Sequence, residues 1–250
     1  MNKYFNIFLE FDQEKVDSTF IEAIVNKNKA YICVVDGNVL ATAHKNIEYR
    51  NIINKGLMNL CDGSSIALLV GKIHHKKFQT YTGPDFFSNF VKTNTKQYFL
   101  GNTSEILKQL KNKFSKLGYN QDLFQFEPLP FKSVENFNYP LIAEKINEFS
   151  PRIIWISLGA PKQEFFIDRL YPYIESGVMV AIGAAFNLFL GEENNKRAPL
   201  LLRNIKLEWL YRVIQEPKRV GKRALSYLEV LPQLIFEEIK QVSNAKYDKI

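Results

Sequence analysis

Short runs of consecutive apolar residues alternate along the chain with longer segments in which apolar residues recur every three or four positions. The runs are rich in β-branched and aromatic residues, and they are 30–37 (AYICVVDG), 96–102 (KQYFLGN), 122–128 (DLFQFEP), 151–159 (PRIIWISLG) and 177–183 (GVMVAIG). Apolar strands that alternate with amphipathic helices are typical of a parallel sheet covered on both faces. The pattern therefore predicts an α/β fold with a mostly parallel sheet and helices on both faces.

Two helices are predicted most clearly, over 104–116 and 140–149. The segment before the first one, FLGNTSEILK, reads as a strand, a glycine turn and a helix with Thr103 or Ser104 as its N-cap. Such strand-to-helix turns lie at the carboxyl edge of the sheet, where ligands of doubly wound folds bind. We therefore look for the functional residues just after the apolar runs.

The composition changes near residue 195, which predicts an α/β body over 1–195 and a C-terminal helical appendage over 196–250. The appendage begins with a basic and aromatic segment, RAPLLLRNIKLEWLYRVIQEPKRVGKR, at 197–223. Beyond it, apolar residues recur at helical spacing, namely Leu225, Leu228, Leu231, Ile235 and Ile239. We expect Pro232 to kink or restart this helix.

The net positive charge of the chain favours an anionic partner but does not identify which kind. Lys and Arg number 33 against 26 Asp and Glu, a net charge of +7, which suits an anionic ligand, nucleic acid or an anionic membrane surface. Cys33 and Cys61 lack a surrounding ligand set, so we expect buried reduced thiols and no metal site. The N-terminus does not read as a signal peptide and no run is long enough to span a membrane, which predicts a cytoplasmic protein.

Three segments could carry chemistry, and each also has a structural interpretation. Asp62 in CDGSS could be a general base exposed by a glycine-containing loop, although Asp-Gly is also a common surface turn. Gln163 in SLGAPKQE could hydrogen-bond substrate hydroxyls, or the segment could simply cap a helix. Arg212, Arg219 and Arg223 could converge on a diphosphate, or form a solvated basic face.

Taken in order, several motifs resemble those of the WecG/TagA/CpsF family of bacterial glycosyltransferases, glycosyltransferase family 26. The motifs span residues 35 to 223 and are DG at 62–63, TGPDF at 82–86, FLGN at 99–102, GAPKQE at 159–164, AIGAAFNLFLG at 181–191, KRAP at 196–199 and LEWLYRVIQEPKR at 207–219. The resemblance implies a Rossmann-like sheet and an inverting transfer of an N-acetylmannosamine-type sugar. The implied donor is a UDP-sugar and the implied acceptor is a sugar on a polyprenyl diphosphate, at the inner face of the cytoplasmic membrane.

The resemblance also implies roles for individual residues, with no metal and no other cofactor. Asp62 is implied as the base, with Thr42 and Gln163 also catalytic. Arginines of the appendage are implied to bind the diphosphate, which maps to Arg212, Arg219 and Arg223. The implied substrate-binding residues are His44, Gly83, Gly101, Gly159, Lys162, Glu164 and Arg197.

Three positions depart from the family's usual residues and leave the identity of the sugar open: His44, Thr80 and Asn187. Two other functions remain as alternatives. The positive charge interleaved with aromatic residues could indicate a nucleic-acid-binding module, although the chain contains no RNP-type or helix-turn-helix pattern and we expect no nucleic-acid partner. A family member without catalytic activity could act as a membrane-bound scaffold. The oligomeric state, including a homo-oligomer, is not determined by the sequence.

Overall fold

The structure, a computed structural model, describes residues 2–191, 199, 211, 214 and 217–247, and for 217–219 and 245–247 it describes the backbone only. The strands are β1 (Asn2–Tyr4), β2 (Ile7–Leu9), β3 (Ala30–Val35), β4 (Met58–Cys61), β5 (Gln97–Gly101), β6 (Phe124–Glu127), β7 (Ile153–Ser157) and β8 (Val178–Ala181). The helices are α1 (Gln13–Val25), α2 (Gly37–Lys45), α3 (Ile47–Asn54), α4 (Ser64–His74), α5 (Gly83–Phe90), α6 (Ser104–Lys116), α7 (Tyr139–Phe149), α8 (Lys162–Leu170), α9 (Ala185–Leu190) and α10 (Pro217–Tyr247).

A parallel sheet forms the centre of the described part of the chain. Its strand order is β4-β3-β8-β7-β5-β6, and every neighbouring pair is parallel. The predicted α/β fold is therefore confirmed. The sequence pattern did not predict the antiparallel hairpin of β1 and β2, which joins the edge of the sheet through a bridge between Glu10 and Leu60.

The apolar runs form strands because both faces of the sheet are buried. All five residues of β7 are buried, and they alternate between two cores: Ile154 and Ile156 pack on one face, whereas Ile153 and Trp155 pack on the other. Within the second core, Trp155 Nε1 donates a hydrogen bond of 2.7 Å to Gln97 Oε1. This double packing fixes the strand ends from which the functional loops emerge.

Capping residues determine where the helices at the carboxyl edge begin. Thr103, one of the two residues predicted as the N-cap of α6, does cap this helix. Its hydroxyl accepts a hydrogen bond from the backbone N–H of Ile106. Asp36 caps α2 in the same way, accepting from the N–H of Val39 at 2.8 Å. Both caps lie within two residues of the end of a strand, so both helices start at the carboxyl edge of the sheet.

Helix α10 packs against α2 and α4. Its Val230 and Leu234 are buried in one of the two cores. Glu238 is 1% exposed, accepts a 2.6 Å hydrogen bond from the N–H of Phe5 and lies 2.7 Å from His74 Nε2. One face of α10 is therefore fixed to the body.

Four further expectations concern the C-terminal segment, the cysteines and membrane spans. Helix α10 continues through Pro232 rather than restarting there. The predicted domain boundary near residue 195 lies outside the described residues. Cys33 and Cys61 are buried and unpaired, as predicted. None of the helices in the described ranges is long and apolar enough to cross a membrane.

Candidate functional site

A cleft of about 1210 Å³ opens at the carboxyl edge of the sheet. Its walls are built by residues that directly follow the strands, because parallel strands all present their carboxyl ends at one edge. The residues of this kind are Asp36 after β3, Asp62 after β4, Asn102 after β5, Pro128 after β6, Leu158 after β7 and Ile182 after β8. Arg223 reaches the same cleft from α10.

Two carboxylates, those of Asp36 and Asp62, lie at neighbouring strand ends in the cleft. Val35 pairs with Cys61 in the register of β3 and β4. The two aspartates are the next residues of their strands and therefore lie side by side at the edge of the sheet. The backbone N–H of Asp62 donates to the carbonyl of Val35 at 2.9 Å, which holds its loop on β3. The side chain of Asp36 caps α2, whereas Asp62 lines the cleft from the loop between β4 and α4. A carboxylate in such a loop can be reached by a bound ligand, as a general base must be.

Gln163 holds together the loops that follow β7 and β8. Its side chain is almost fully buried, and Oε1 accepts hydrogen bonds from the N–H groups of Gly159 at 3.1 Å and Gly183 at 3.0 Å. Its Nε2 donates to Glu164 Oε1 at 2.9 Å. The amide thus fixes the shape of the cleft floor through contacts within the protein.

Glu164 lies behind the cleft wall and is fully buried. Burial raises the pKa of its carboxyl to about 7; the hydrogen bond from Gln163 acts in the opposite direction, and the negative charge of Asp36 adds to the increase. The folded protein therefore retains a proton on Glu164 at a pH where the unfolded chain has released it.

This shift makes the stability depend on pH. As the pH rises from about 4.5, the ordinary value, to about 7, the folded state holds more protons than the unfolded state, so the free energy of unfolding falls. Glu164→Gln removes the titration, and we expect the wild type to lose about 3 kcal/mol relative to this variant across that interval. Urea unfolding at several pH values measures the difference.

The exposed α7 residue Glu144 provides the control, since Glu144→Gln removes a carboxylate of the same kind that is in water. Its unfolding free energy should follow that of the wild type at every pH. If the Glu164→Gln curve also ran parallel to the wild-type curve, Glu164 would not titrate differently in the folded state.

Five of the predicted site residues line the cleft: Asp62, Gly159, Lys162, Gln163 and Arg223. The backbone of Arg219 lies in α10, but its side chain is outside the described part. Arg197 and Arg212 are also outside the described residues.

The remaining predicted residues within the described part of the chain do not line the cleft. Thr42 donates its hydroxyl to the carbonyl of Asn38 within α2, and His44 lies further along the same helix. Gly83 is buried at the start of α5. Gly101 ends β5 with φ +97°, where a Cβ would stand 2.7 Å from the carbonyl oxygen of Ser157, so the close approach of β5 and β7 requires glycine.

Sequence reasoning missed several residues of the cleft, notably Asp36, Asn102 and Phe131. Asp36 and Asn102 directly follow apolar runs, which was a signal that could have found them. Phe131 has no such signal, and its side chain is fully exposed at the cleft. Among the described residues, no group of three or more His, Cys, Asp or Glu side chains could hold a metal ion.

Fold and site together define a doubly wound α/β protein with a carboxylate and an arginine in one ligand cleft at the carboxyl edge of its sheet. The chain belongs to the Glycosyl transferase WecG/TagA/CpsF family, whose model matches residues 7–245. It is similar to the N-acetylglucosaminyldiphosphoundecaprenol N-acetyl-beta-D-mannosaminyltransferase of Bacillus subtilis (strain 168), with 25% identity over 234 residues that cover 89% of this chain and 84% of the relative. The family predicted from the motifs is confirmed.

Proposed function

We propose that the protein is an inverting glycosyltransferase that moves N-acetylmannosamine or its uronate from UDP to a sugar on a polyprenyl diphosphate, in cell-envelope polysaccharide synthesis. The name of the Bacillus subtilis relative states N-acetyl-beta-D-mannosaminyl transfer and an N-acetylglucosaminyldiphosphoundecaprenol substrate. One observation carries the proposal most directly: Asp62 and Arg223, which are far apart in the sequence, line the same cleft.

In the proposed reaction the acceptor hydroxyl oxygen attacks the anomeric carbon of the donor sugar. The Asp62 carboxylate takes the hydroxyl proton as the new C–O bond forms, and the bond from the anomeric carbon to the UDP oxygen breaks. UDP leaves with the electron pair, and the Arg223 guanidinium stabilises its growing negative charge. Attack from the side opposite UDP inverts the anomeric configuration.

The strand order suggests how the donor lies along the cleft. Asp62 follows β4 at one edge of the sheet, and Phe131 lies in the segment after β6 at the other edge. Five strand spacings separate β4 from β6, about 24 Å at the usual distance between strands. A UDP-sugar is an extended molecule with its sugar and its base at opposite ends. We therefore place the sugar near Asp62 and the uracil near Phe131.

Phe131 is suited to contact a nucleobase. Its side chain is fully exposed, and the ammonium group of Lys162 lies 5.1 Å from the ring centroid. An exposed aromatic ring offers a surface on which a base can stack. Lys162 also lines the cleft, where its charge favours a diphosphate. Gln163 supports this arrangement by holding the loops after β7 and β8.

We propose that residues 1–195 form the catalytic body and that 196–250 close the cleft and contribute cations to the diphosphate site. Arg223 carries this role within the described part of the chain. Arg197, Arg212 and Arg219 remain proposed as further cations of the same site, and Thr42 and His44 remain proposed from the family resemblance alone. The proposed reaction uses no metal or other cofactor.

We further propose that α10 places the protein on the inner face of the cytoplasmic membrane. The face of α10 that packs on the body contains Val230 and Leu234, whereas Leu225, Leu228, Phe236 and Ile239 are exposed. These exposed residues recur at spacings of three, eight and three, which places them on one face of the helix. An exposed apolar face beside basic residues such as Lys222 and Lys240 suits the interface of an anionic bilayer.

Vesicle sedimentation tests this membrane contact. We expect the full-length protein to bind vesicles that contain anionic lipid and to dissociate from them as salt is added. The double variant Leu225→Glu with Leu228→Glu should lose most of this binding, because the new charges oppose insertion of the helix face into the bilayer. Ile47→Glu with Leu141→Glu makes the same change at two exposed positions of the body and should leave binding intact. Equal loss in both double variants, or no binding by the wild type, contradicts the membrane role.

The transfer itself is tested with the full chain, a panel of UDP-N-acetylhexosamines and their uronates, and a short-chain lipid-diphosphate sugar acceptor. Product masses identify the sugar, and NMR of the new linkage gives its anomeric configuration. We expect one N-acetylmannosamine-type donor to be transferred with inversion. If the protein transferred a sugar from none of the donors, the proposal would be contradicted. Salt-sensitive binding of RNA without any sugar transfer would favour the nucleic-acid alternative.

A further inference from the structure

Tyr227 lies on α10 about one turn after Arg223, the cation that lines the cleft. Four residues of the helix recur at spacings of four, three and four and therefore share one face: Arg223, Tyr227, Val230 and Leu234. Val230 and Leu234 are buried in one core of the body, and Tyr227 packs against the same core. The face that fixes α10 to the body thus continues through Tyr227 to the cation in the cleft.

The ring of Tyr227 lies against the backbone of Gly37, the first residue of α2. A Cβ at Gly37 would stand 2.9 Å from Tyr227 Cγ and 3.0 Å from Cδ1, well inside the separation of about 3.5 Å at which two carbon atoms pack. The φ of Gly37 is not in the left-handed region, so the close approach of the ring, and not the backbone conformation, requires glycine here. Because Gly37 directly follows Asp36, the ring is held beside one of the two strand ends that carry a carboxylate.

The hydroxyl of Tyr227 lies near the loop that carries the other carboxylate, Asp62. Its oxygen is buried. Burial raises the pKa of this hydroxyl, whereas Ser65 acts in the opposite direction and Cys61 adds to the increase. Ser65 is in the first turn of α4, and Cys61 directly precedes Asp62. The side chain of Tyr227 therefore reaches from the start of α2 to the Asp62 loop.

Two polar contacts also hold α10 to the body, but neither is suited to place Arg223. Lys45 and Glu229 form an ion pair of 2.5 Å in which both side chains are exposed, and such pairs hold a helix weakly. Glu238 is buried, but it lies about 22 Å from Arg223 along the helix axis. Tyr227 is only about 6 Å from Arg223 along the same axis. Of these three contacts, that of Tyr227 has the most direct influence on where the guanidinium lies.

We propose that Tyr227 is a positioning residue that packs on Gly37 and thereby holds Arg223 in the cleft. This inference rests on the proposed function, since the ligand of Arg223 is taken to be the diphosphate of UDP. Of the side chains of Tyr227 and Arg223, only that of Arg223 lines the cleft. Tyr227 therefore acts on the reaction through Arg223 and not by touching the substrate. A shift of about 1 Å in such a group is enough to weaken catalysis strongly.

The contact can be broken from either side. Tyr227→Ala removes the ring that supports the first turns of α10. Gly37→Ala keeps the ring but places a methyl group where the ring lies, so α10 has to move. Alanine favours a helix more than glycine does, so α2 itself should remain intact. Tyr227→Phe keeps the ring on Gly37 and should recover most of what Tyr227→Ala loses.

The experiment is a double-variant cycle in which calorimetry measures the Kd of the full-length protein for UDP. We expect Arg223→Ala to raise the Kd by about ten- to a hundredfold, the loss of one charge-assisted contact. Tyr227→Ala and Gly37→Ala should each raise it by about tenfold. Adding either of them to Arg223→Ala should change the Kd by less than about twofold, because the residue through which they act is gone. A purely structural residue would weaken binding by the same factor in both backgrounds.

Ile24→Ala is the control for lost stability, because Ile24 is buried in the core on the other face of the sheet from Tyr227. Its melting temperature should fall while its affinity for UDP stays close to that of the wild type. Melting curves of the other variants establish that they are folded. If Tyr227→Ala does not fold, the cycle of Gly37→Ala with Arg223→Ala decides alone.

The cycle separates the inference from the proposed function. Losses that multiply in the double variants overturn the inference, as does a normal affinity for UDP in Gly37→Ala or in folded Tyr227→Ala. In each of these cases UDP binding by the wild type preserves the proposed function. Failure of the wild type to bind UDP overturns both.

Discussion

Asp62→Asn is expected to lower kcat by about two to four powers of ten, the usual contribution of a general base. Asparagine has nearly the same shape as aspartate but cannot take the proton of the acceptor hydroxyl. The affinity for UDP should change little, because the carboxylate lies at the sugar end of the proposed donor. Steady-state kinetics with the lipid-linked acceptor, together with calorimetry for UDP, separates the two effects.

Asp36→Asn is the matched control at the neighbouring strand end. Asp36 caps α2 by accepting from Val39, and asparagine caps a helix equally well, so the fold should be retained. We expect a much smaller loss of kcat than for Asp62→Asn. If the two variants exchanged these results, Asp36 would be the base; if Asp62→Asn kept near-normal turnover, Asp62 would only form a turn.

Arg223→Ala is expected to lower kcat/KM by about two to three powers of ten, because it removes a cation that stabilises the charge on the departing UDP. Arg223→Lys should recover part of the loss, since lysine restores the charge but not the two-pronged geometry of guanidinium. UDP affinity should fall together with the rate, in contrast to Asp62→Asn.

Lys111→Ala removes an exposed cation on α6, and it controls for the general loss of positive charge. Its kinetics should stay close to those of the wild type. Similar losses for Lys111→Ala and Arg223→Ala would indicate an unspecific effect of net charge, and the diphosphate role of Arg223 would be wrong.

The fold class could be predicted from the sequence because the sheet is buried on both faces. Strands such as 153–157 must then be apolar throughout, and they stand out against the helices between them. The same reasoning failed for the β1–β2 hairpin, whose three-residue strands are too short to give a periodic pattern. The shortness of these strands, rather than their burial, therefore prevented their prediction from the sequence.

Candidate residues in loops just after a strand were located well, because the end of a parallel strand lies at the edge of the sheet that forms the cleft. Asp62 and Gly159 are examples, and both line the cleft. Thr42 and His44 lie within α2, where the helix carries side chains away from the edge, and Thr42 bonds its own helix. Proximity to a strand along the sequence therefore does not place a helical residue at the site.

The sequence by itself determined five of the six strands of the parallel sheet, the helices near 104–116 and 140–149, the family and the base candidate Asp62, since each depends on residues close together in the chain. Only the tertiary structure decided that Arg223, on α10, lines the same cleft as Asp62. It also decided that Asn102, Ser157 and Asn187 form one network of hydrogen bonds and that Glu164 is buried enough to raise its pKa to about 7. The physical reason is the strand order, in which β5, β7 and β8 are neighbours although long segments of chain separate them.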